Sequence, residues 1–402
     1  MKTQNLNQAY PTEPIVNKGE LPDPFSLPAG GRISTREEWP ERSRAWRNLI
    51  LEMEYGGLPP KPESVQIETL CHHSVRRLPG ALCLGSYRIH CLGGAQPFSF
   101  CAKLLFPQTS EPIPAIISGD GCWWYISDDV ARRITDSGCA LLIFNRTELA
   151  EDLGYGDVPD KTKRQGGLYD VYRGQAFGAL SAWAWGYHRC VDLLHELPFI
   201  DRSRIAISGH SRGGKAALVA GATDERIMLI NDNASCAGGS AVFRYVGDGG
   251  ETLNIIDVFP SWFGSGLRPY LGQEAEIPFD QHCLLASIAP RPLLLTYAVD
   301  DRWSNPEGMV QCAWAAGEVY RFLGVSENLA FHLRHGEHAH APEDWDVLLD
   351  FIAWKWQGKK PKLPYNHQPY QHLRPVFSWK APAAPVPQRA ARAPSAGPGL
   401  EG

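Results

Sequence analysis

The chain has 402 residues, of which 44% are hydrophobic and 21% are charged, and its formal net charge is −5. This composition is typical of a soluble globular protein, and the length allows one large domain or two small ones. The acidic balance without a basic run excludes a nucleic-acid-binding surface, and since no stretch of 18 apolar residues occurs, we expect no membrane span.

Ten cysteines are spread singly along the chain without a Cys-x-x-Cys pair, so the spacing of a zinc site is absent. Most of them lie in apolar runs and are expected to be buried thiols rather than disulfides, which is typical of a reducing compartment. The first ten residues lack the apolar core of a signal peptide. We therefore expect a cytoplasmic location, with export by another route left open, and the sequence does not indicate an oligomeric state.

Residues 1–35 are rich in proline, glycine and polar side chains, which predicts an extended N-terminal arm. Residues 36–55 have helical spacing, and Thr35 with Glu38 can form a capping box at the start of the helix. Residues 64–106 contain alternating apolar runs, which predict antiparallel strands.

After Pro114, apolar runs of strand length alternate with helical segments. This alternation predicts an α/β protein with a mostly parallel central sheet and helices on both faces. Antiparallel strands followed by parallel ones match the three-layer sandwich of the α/β-hydrolase fold, and we assign residues 36–360 to a single catalytic domain. The tail, residues 361–402, is rich in proline and alanine and is predicted to be disordered.

One predicted strand, residues 205–208, runs directly into a serine flanked by glycines. Gly209 and Gly213 lie two positions before and two positions after Ser211, and an alanine-rich helical segment follows. A nucleophile elbow needs this arrangement, because the turn strains its central residue and brings the helix close to the strand. We predict that Ser211 is the nucleophile. The alternative is an ordinary loop whose serine caps the helix.

A serine hydroxyl becomes nucleophilic when a base takes its proton and an acid holds that base. In α/β-hydrolases the chain order is serine, acid, histidine. A predicted strand ending at Tyr297 is followed closely by Asp300 and Asp301. We predict that Asp300 is the acid because it comes first after the strand, and Asp301 is the alternative.

Three histidines, His335, His338 and His340, follow the last predicted strand. His338 lies two residues after a glycine, in the loop between the last strand and the last helix, where the base of this fold belongs. We predict that His338 is the catalytic base. A metal cluster of the three histidines is the rival hypothesis, but no acidic or cysteine partner lies at ligand spacing, so we predict neither a metal nor a cofactor.

The developing oxyanion is expected to be stabilised by the backbone N–H of Arg212 and by one from the glycine-containing loop, residues 118–122. Lys215 lies one helical turn after the serine and can face the same opening. Two cations beside a nucleophile indicate an anionic or carbonyl-rich substrate.

The run of residues 209–222 closely resembles the nucleophile segment of glucuronoyl esterases, which reads Gly-Cys-Ser-Arg-Asn-Gly-Lys. Residues 178–186, 260–263 and 278–292 resemble further blocks of that family, so that the similarity covers about residues 20–357. The resemblance implies an α/β-hydrolase that cleaves the ester between a (4-O-methyl-)glucuronic acid carboxyl and an alcohol.

The resemblance also implies roles for individual residues. Arg212 would help to stabilise the oxyanion, Lys215 and Trp303 would bind the uronate, and Glu251 is a weak candidate for a further uronate contact. Fungal members carry a catalytic glutamate where this chain has Ala234, so the acid is expected at the later site, as in some bacterial members.

The sequence therefore predicts a serine carboxylic-ester hydrolase that acts on a small-molecule or carbohydrate ester, without nucleic-acid or membrane partners. Two alternatives stay open. One is an esterase for acetylated sugars or other small esters on the same fold, and the other is a carbohydrate-binding relative without catalytic activity. His210 stands where the family has cysteine.

Overall fold

The computed structural model describes residues 16–78, 80–123, 126–154 and 160–383. In this part of the chain the strands are β1 (Val16–Asn17), β2 (Ser64–Val75), β3 (Leu82–Leu92), β4 (Phe98–Pro107), β5 (Ile113–Ser118), β6 (Ala140–Phe144), β7 (Ile200–His210), β8 (Leu229–Asn233), β9 (Tyr245–Val246), β10 (Leu293–Ala298) and β11 (Leu329–Arg334). The α-helices are α1 (Trp39–Ile50), α2 (Asp128–Asp136), α3 (Leu168–Val171), α4 (Ala179–Glu196), α5 (Arg212–Thr223), α6 (Ile255–Val258), α7 (Gln281–Ala286), α8 (Pro306–Leu323) and α9 (Pro342–Gln357).

The described strands form a nine-stranded sheet in the order β11–β10–β8–β7–β5–β6–β4–β3–β2, and a separate antiparallel pair of β1 with β9. Strands β11 to β6 of this order pair in parallel, whereas β6 with β4, β4 with β3 and β3 with β2 are antiparallel. Because parallel strands all end at the same edge, the loops after β5, β6, β7, β8, β10 and β11 meet there.

Successive residues of the central strands face opposite layers of the sandwich. On β5, Ala115 and Ile117 pack into the core that contains α4 and α5, whereas Ile116 packs into the smaller core that contains α2 and α9. Both faces of these strands are therefore buried, which explains why their sequences are continuous apolar runs rather than alternating ones. The predicted three-layer α/β fold is confirmed.

The predicted helix at residues 36–55 contains more than one kind of helix. It begins with a 3-10 turn, Arg36–Glu38, whose capping box is present, continues as α1, and ends in one π-helical turn, Leu51–Tyr55. Gly56 stops it in the left-handed conformation, with φ 74°.

The prediction that residues 361–402 are disordered is wrong for the described part, residues 361–383. Leu373 and Phe377 are buried, and the indole Nε1 of Trp379 donates a hydrogen bond to the backbone oxygen of Leu21 at 2.7 Å. The high proline and alanine content of the tail predicted disorder, but a few single apolar side chains bury enough surface to hold this extended segment against the body. Residues 384–402 lie outside the described residues.

The described part of the N-terminal arm also packs against the body. Leu21 and Phe25 are buried, and Val16 pairs with Val246 in the small sheet. Residues 1–15 of the predicted arm lie outside the described residues.

All ten cysteines are free thiols, and six of them are buried. In the described part of the chain, none of the helices combines the length and the apolar character that a membrane crossing would require.

Candidate active site

Ser211 occupies a strained turn between β7 and α5. Its backbone has φ 56° and ψ −123°, a conformation that residues other than glycine rarely adopt. Its N–H donates to the backbone oxygen of Asn233 at 2.8 Å, which ties the turn to the neighbouring strand. The predicted strand, turn and helix are therefore all present.

The two flanking glycines are required by close approach. A Cβ on Gly209 would stand 2.2 Å from the backbone oxygen of Gly213, and a Cβ on Gly213 would stand 2.1 Å from Oδ1 of Asp120. A side chain at position 209 would push the helix away from the strand, and one at position 213 would displace the carboxylate of Asp120. This explains the spacing of the glycines around Ser211.

His338 is held by Asp301 and not by Asp300. The imidazole Nδ1 of His338 lies 2.6 Å from Oδ2 of Asp301, whose carboxylate is 3% exposed. With a carboxylate on Nδ1, that nitrogen carries the proton of the neutral ring, and Nε2 is left as the basic nitrogen.

The prediction that Asp300 is the acid is therefore wrong. Asp300 accepts hydrogen bonds from the backbone N–H of Gly336 at 2.8 Å and from His335, and the Gly336 bond lowers the pKa of its carboxyl. The reason is the turn after β10, in which the N–H of Asp301 bonds back to Ala298. This turn directs Asp300 to the solvent and Asp301 inward, where its carboxylate also accepts a hydrogen bond from the N–H of Ser304 at the end of the next 3-10 turn.

The three histidines after β11 have three different environments. His335 is 92% exposed beside Asp300, whereas His340 is buried with its ring stacked on Trp345 at 4.3 Å between centroids. Burial lowers the pKa of His340 to about 3. The three rings do not converge on one point, and the described residues contain no group of three or more side chains that could hold a metal ion.

The His338 ring lies next to the elbow. Its centroid is 4.6 Å from that of His210, the residue before Ser211, while Nδ1 of His210 is bonded to Oδ1 of Asn233 at 2.6 Å. Within the described residues, the hydrogen bonds of this region do not include one between the Ser211 hydroxyl and His338. Such contacts are often long in a free enzyme and shorten when substrate is bound.

Lys215 lies at the start of α5, buried beneath the same edge of the sheet. Its Nζ donates to the backbone oxygens of Ser235 and Ala237 and to Oε2 of Glu251, the last at 3.1 Å. Burial raises the pKa of the Glu251 carboxyl, and the charge of Lys215 acts in the opposite direction. The backbone N–H of Glu251 bonds to the backbone oxygen of Trp303 at 2.8 Å, so the three residues proposed to bind a uronate lie in one place.

Arg212 extends from the elbow over an aromatic surface. Its guanidinium carbon lies 4.5 Å from the ring centroid of Trp262, and Nη1 bonds to both carboxylate oxygens of Asp152 at 3.2 and 3.0 Å. Asp152 therefore fixes the guanidinium of the residue that follows Ser211.

The family model for fungal glucuronyl esterases matches residues 89–324 of this chain. The 4-O-methyl-glucuronoyl methylesterase of Thermothelomyces thermophilus is 30% identical over 347 residues, which are 84% of this chain and 80% of the relative. The chain belongs to the glucuronoyl esterase family. It is a carboxylic ester hydrolase, as the sequence predicted.

Solved structures of glucuronoyl esterases have the same fold. A carbohydrate esterase family 15 glucuronoyl esterase from Caldicellulosiruptor kristjansonii has a TM-score of 0.76 at 29% identity, covering 93% of this chain and 98% of that one. A mutant glucuronoyl esterase from Sporotrichum thermophile in complex with methyl 4-O-methyl-β-D-glucopyranuronate has a TM-score of 0.71 at 27% identity, covering 86% and 90%.

Ala234 marks a departure from the fungal glucuronoyl esterase pattern, which places the catalytic glutamate at this position. The residue has a left-handed backbone, with φ 51°, and its N–H bonds to the backbone oxygen of Thr296. An alanine offers His338 no carboxylate, and Asp301 supplies one instead.

Sequence reasoning missed three charged residues of this glucuronoyl esterase: Asp120, Arg146 and Asp152. They follow β5 and β6, and Asp120 accepts a hydrogen bond from the backbone N–H of His210 at 2.8 Å. The signal that could have found them is their position after two parallel strands, because such strands end at the edge that carries the elbow.

Proposed function

We propose that Ser211 is the nucleophile of this glucuronoyl esterase, with His338 as its base and Asp301 as the acid that holds the base. Ser211 Oγ attacks the ester carbonyl carbon, and Nε2 of His338 takes the hydroxyl proton and passes it to the oxygen of the leaving alcohol as the ester C–O bond breaks. Water then attacks the acyl-enzyme with the same proton transfers, releasing the acid and restoring the serine. The observation that carries the proposal is the hydrogen bond of His338 to the buried carboxylate of Asp301 beside the strained elbow.

The oxyanion of each tetrahedral intermediate would be stabilised at the start of α5. Supporting this, the elbow places Ser211 at a helix N-terminus, where backbone N–H groups and the helix dipole favour negative charge. Arg212 adds a fixed positive charge close by. The loop after β5 borders the elbow through Asp120 and can supply the second backbone donor.

The acyl part of the substrate is proposed to be a glucuronate or 4-O-methyl-glucuronate residue. Lys215 and Glu251 form a buried ion pair at 3.1 Å, and a charged pair of this kind suits hydrogen bonding to the hydroxyl groups of a sugar ring. Trp303, joined to Glu251 by a backbone hydrogen bond, supplies an aromatic surface for that ring. The methyl glucuronate bound by the Sporotrichum thermophile relative supports this class of substrate.

A substrate panel tests the proposal. We expect the parent to release methanol or benzyl alcohol from methyl or benzyl glucuronate and Ser211→Ala to be inactive, while Lys215→Met raises KM for glucuronate esters much more than for p-nitrophenyl acetate. An esterase for small acetyl esters would instead hydrolyse p-nitrophenyl acetate as well as the uronates, with no effect of Lys215→Met. A parent that is inert on all uronate esters would contradict the proposed substrate.

A further inference from the structure

Four charged side chains alternate in sign beneath the elbow. Asp120 pairs with Nη1 of Arg146, Nη2 of Arg146 lies 3.7 Å from Asp152, and Asp152 binds Arg212. At one end Asp120 also accepts the N–H of His210, so the series begins and ends next to Ser211. These contacts join the loops after β5 and β6 to the elbow.

Arg146 holds the middle of this series as a fully buried cation. Its side chain is 0% exposed, with Cζ 3.9 Å from the ring centroid of Trp123 and 4.9 Å from that of Trp183. A buried charge is costly unless ionised partners and aromatic faces compensate it. Arg146 is therefore confined between the two indole rings, and its guanidinium constrains the carboxylates of Asp120 and Asp152.

Asp152 holds the guanidinium of Arg212 in one position. Both of its oxygens bind Nη1 of Arg212, and Oδ1 also accepts from the indole Nε1 of Trp262 at 3.0 Å. Trp262 lies in turn under the guanidinium that Asp152 holds. A Cβ on Gly154 would stand 3.3 Å from the same Nη1, so the backbone after Asp152 also borders the guanidinium closely.

We propose that Asp152 is a positioning residue of the reaction, which holds the Arg212 guanidinium beside the nucleophile and stabilises the developing oxyanion through it. The inference rests on the proposed function of Ser211 and Arg212. Asp152 itself touches no reacting atom. Its removal should therefore weaken transition-state stabilisation more than substrate binding.

The chain contains a matched control for this role. Asp192 on α4 also accepts from two arginines, Arg189 at 2.5 Å and Arg226 at 2.7 Å, and Arg189 lies over the ring of Trp185. Asp152 and Asp192 thus have similar ionic partners and differ in whether one of the arginines lies at the elbow.

The test compares kcat and KM for benzyl glucuronate in Asp152→Asn and Asp192→Asn, with the urea-unfolding midpoint of each variant. We expect Asp152→Asn to lower kcat by about 10-fold or more with KM changed by less than about 3-fold, since an oxyanion donor contributes about 10²–10³-fold when removed outright. Asp192→Asn should keep the parental kcat at a comparable loss of stability. Trp262→Phe keeps the ring under Arg212 but removes one donor to Asp152, and it should lower kcat to a smaller extent.

A double-mutant cycle separates positioning from general damage. In an Arg212→Ala background, Asp152→Asn should have little further effect on kcat, because the group that it positions is absent. An equal loss of kcat in both backgrounds, an unchanged kcat in Asp152→Asn, or equal losses in the Asp152 and Asp192 variants would overturn the inference. If Asp152→Asn does not fold, the same double-mutant cycle with Trp262→Phe in place of Asp152→Asn tests the inference. A parent without activity on uronate esters would instead remove the proposed function, and that result does not depend on Asp152.

Discussion

Adjacent aspartates after β10 have opposite surroundings. Asp301 is buried and bonded to the imidazole of His338, whereas Asp300 is exposed at the rim beside His335. A carboxylate that holds an imidazole fixes its tautomer and stabilises the imidazolium that forms in the transition state. The two neighbours can therefore be compared in the same chain.

We predict that Asp301→Asn lowers kcat on benzyl glucuronate by about 10³–10⁴-fold, since the amide favours the wrong imidazole tautomer. Asp300→Asn serves as the control and should stay within about 3-fold of the parent. Steady-state kinetics of the two variants measures both values. A larger loss in the Asp300 variant would assign the acid to Asp300 and contradict the contacts described above.

The positions of Ser211 and His338 could be predicted from the sequence because each depends on a local pattern. Gly209 approaches the backbone of Gly213 within the turn itself, and His338 lies in the loop after the last strand. The choice between Asp300 and Asp301 could not be predicted, because the turn back to Ala298 decides which carboxylate points inward.

At the scale of elements, the elbow depends on the close approach of α5 to the loop after β5. A Cβ on Gly213 would overlap Oδ1 of Asp120, which lies in a buried contact with Arg146. Because Asp120 also accepts the N–H of His210, any shift of its carboxylate moves the turn that carries the serine.

We predict that Gly213→Ala costs about 1–3 kcal/mol of unfolding free energy from overpacking and lowers kcat by more than about 10-fold. Gly317 in α8 is the matched control, because a Cβ there meets no atom within 4 Å. Gly317→Ala should be neutral or stabilise the protein by up to about 1 kcal/mol through helix propensity. Urea unfolding and kcat of both variants check this, and a Gly213→Ala variant with parental stability and activity would refute it.

The π-helical turn after α1 buries a carboxyl group. Burial raises the pKa of Glu54 from its ordinary value of 4.5 to about 8, and its Oε2 accepts a hydrogen bond from Gln281 at 2.8 Å. Between pH 4.5 and 8 the folded protein keeps a proton that the unfolded chain has lost. Stability is therefore lost as the pH rises through this range.

We predict that Glu54→Gln is stabilised relative to the parent as the pH rises, because the amide carries no such proton. The difference in unfolding free energy should grow between about pH 4.5 and 8, by at most about 1.4 kcal/mol per pH unit, and stay constant above. Glu52→Gln, on the exposed side of the same turn, is the control. Urea titrations at a series of pH values measure the difference, and a difference that is constant with pH would show that Glu54 is ionised in the folded state.

At the scale of the whole molecule, the two ends of the described chain pack against each other on the body. The ring of Trp379 stacks on Phe377 at 4.4 Å between centroids and meets the edge of Phe25 at 6.3 Å. These contacts lie on the segments that connect Leu21 with residues 376–380, away from the loops that carry the triad.

We predict that Trp379→Ala lowers the unfolding free energy by about 1–3 kcal/mol, less than for a fully buried tryptophan, and leaves kcat within about 2-fold of the parent. Trp379→Phe keeps the ring stacking but loses the hydrogen bond to Leu21, which should lower the unfolding free energy by about 1 kcal/mol. Chemical unfolding and steady-state kinetics test the pair. A loss of activity without a loss of stability would contradict the prediction and show that this segment affects the active site.

The sheet could be predicted from the sequence almost strand by strand, because buried parallel strands are continuous apolar runs and helical segments lie between successive strands. The packed segment at residues 361–383 could not be predicted. Its anchors, Leu373, Phe377 and Trp379, are separated by polar residues and prolines, and the hydrogen-bond acceptor of Trp379, Leu21, lies 358 positions away in the N-terminal segment. The amino-acid composition of a short stretch of sequence carries no information about contacts with residues so far away in the chain.

The measurement that tests the central claim most directly is peptide-resolved labelling by a fluorophosphonate, in the parent and in His338→Ala. The account predicts a single adduct on the peptide that contains Ser211, formed at least about 100-fold more slowly in His338→Ala, since the imidazole supplies general-base catalysis of that order. An adduct on another residue, or a Ser211 adduct formed equally fast without the imidazole, would contradict it.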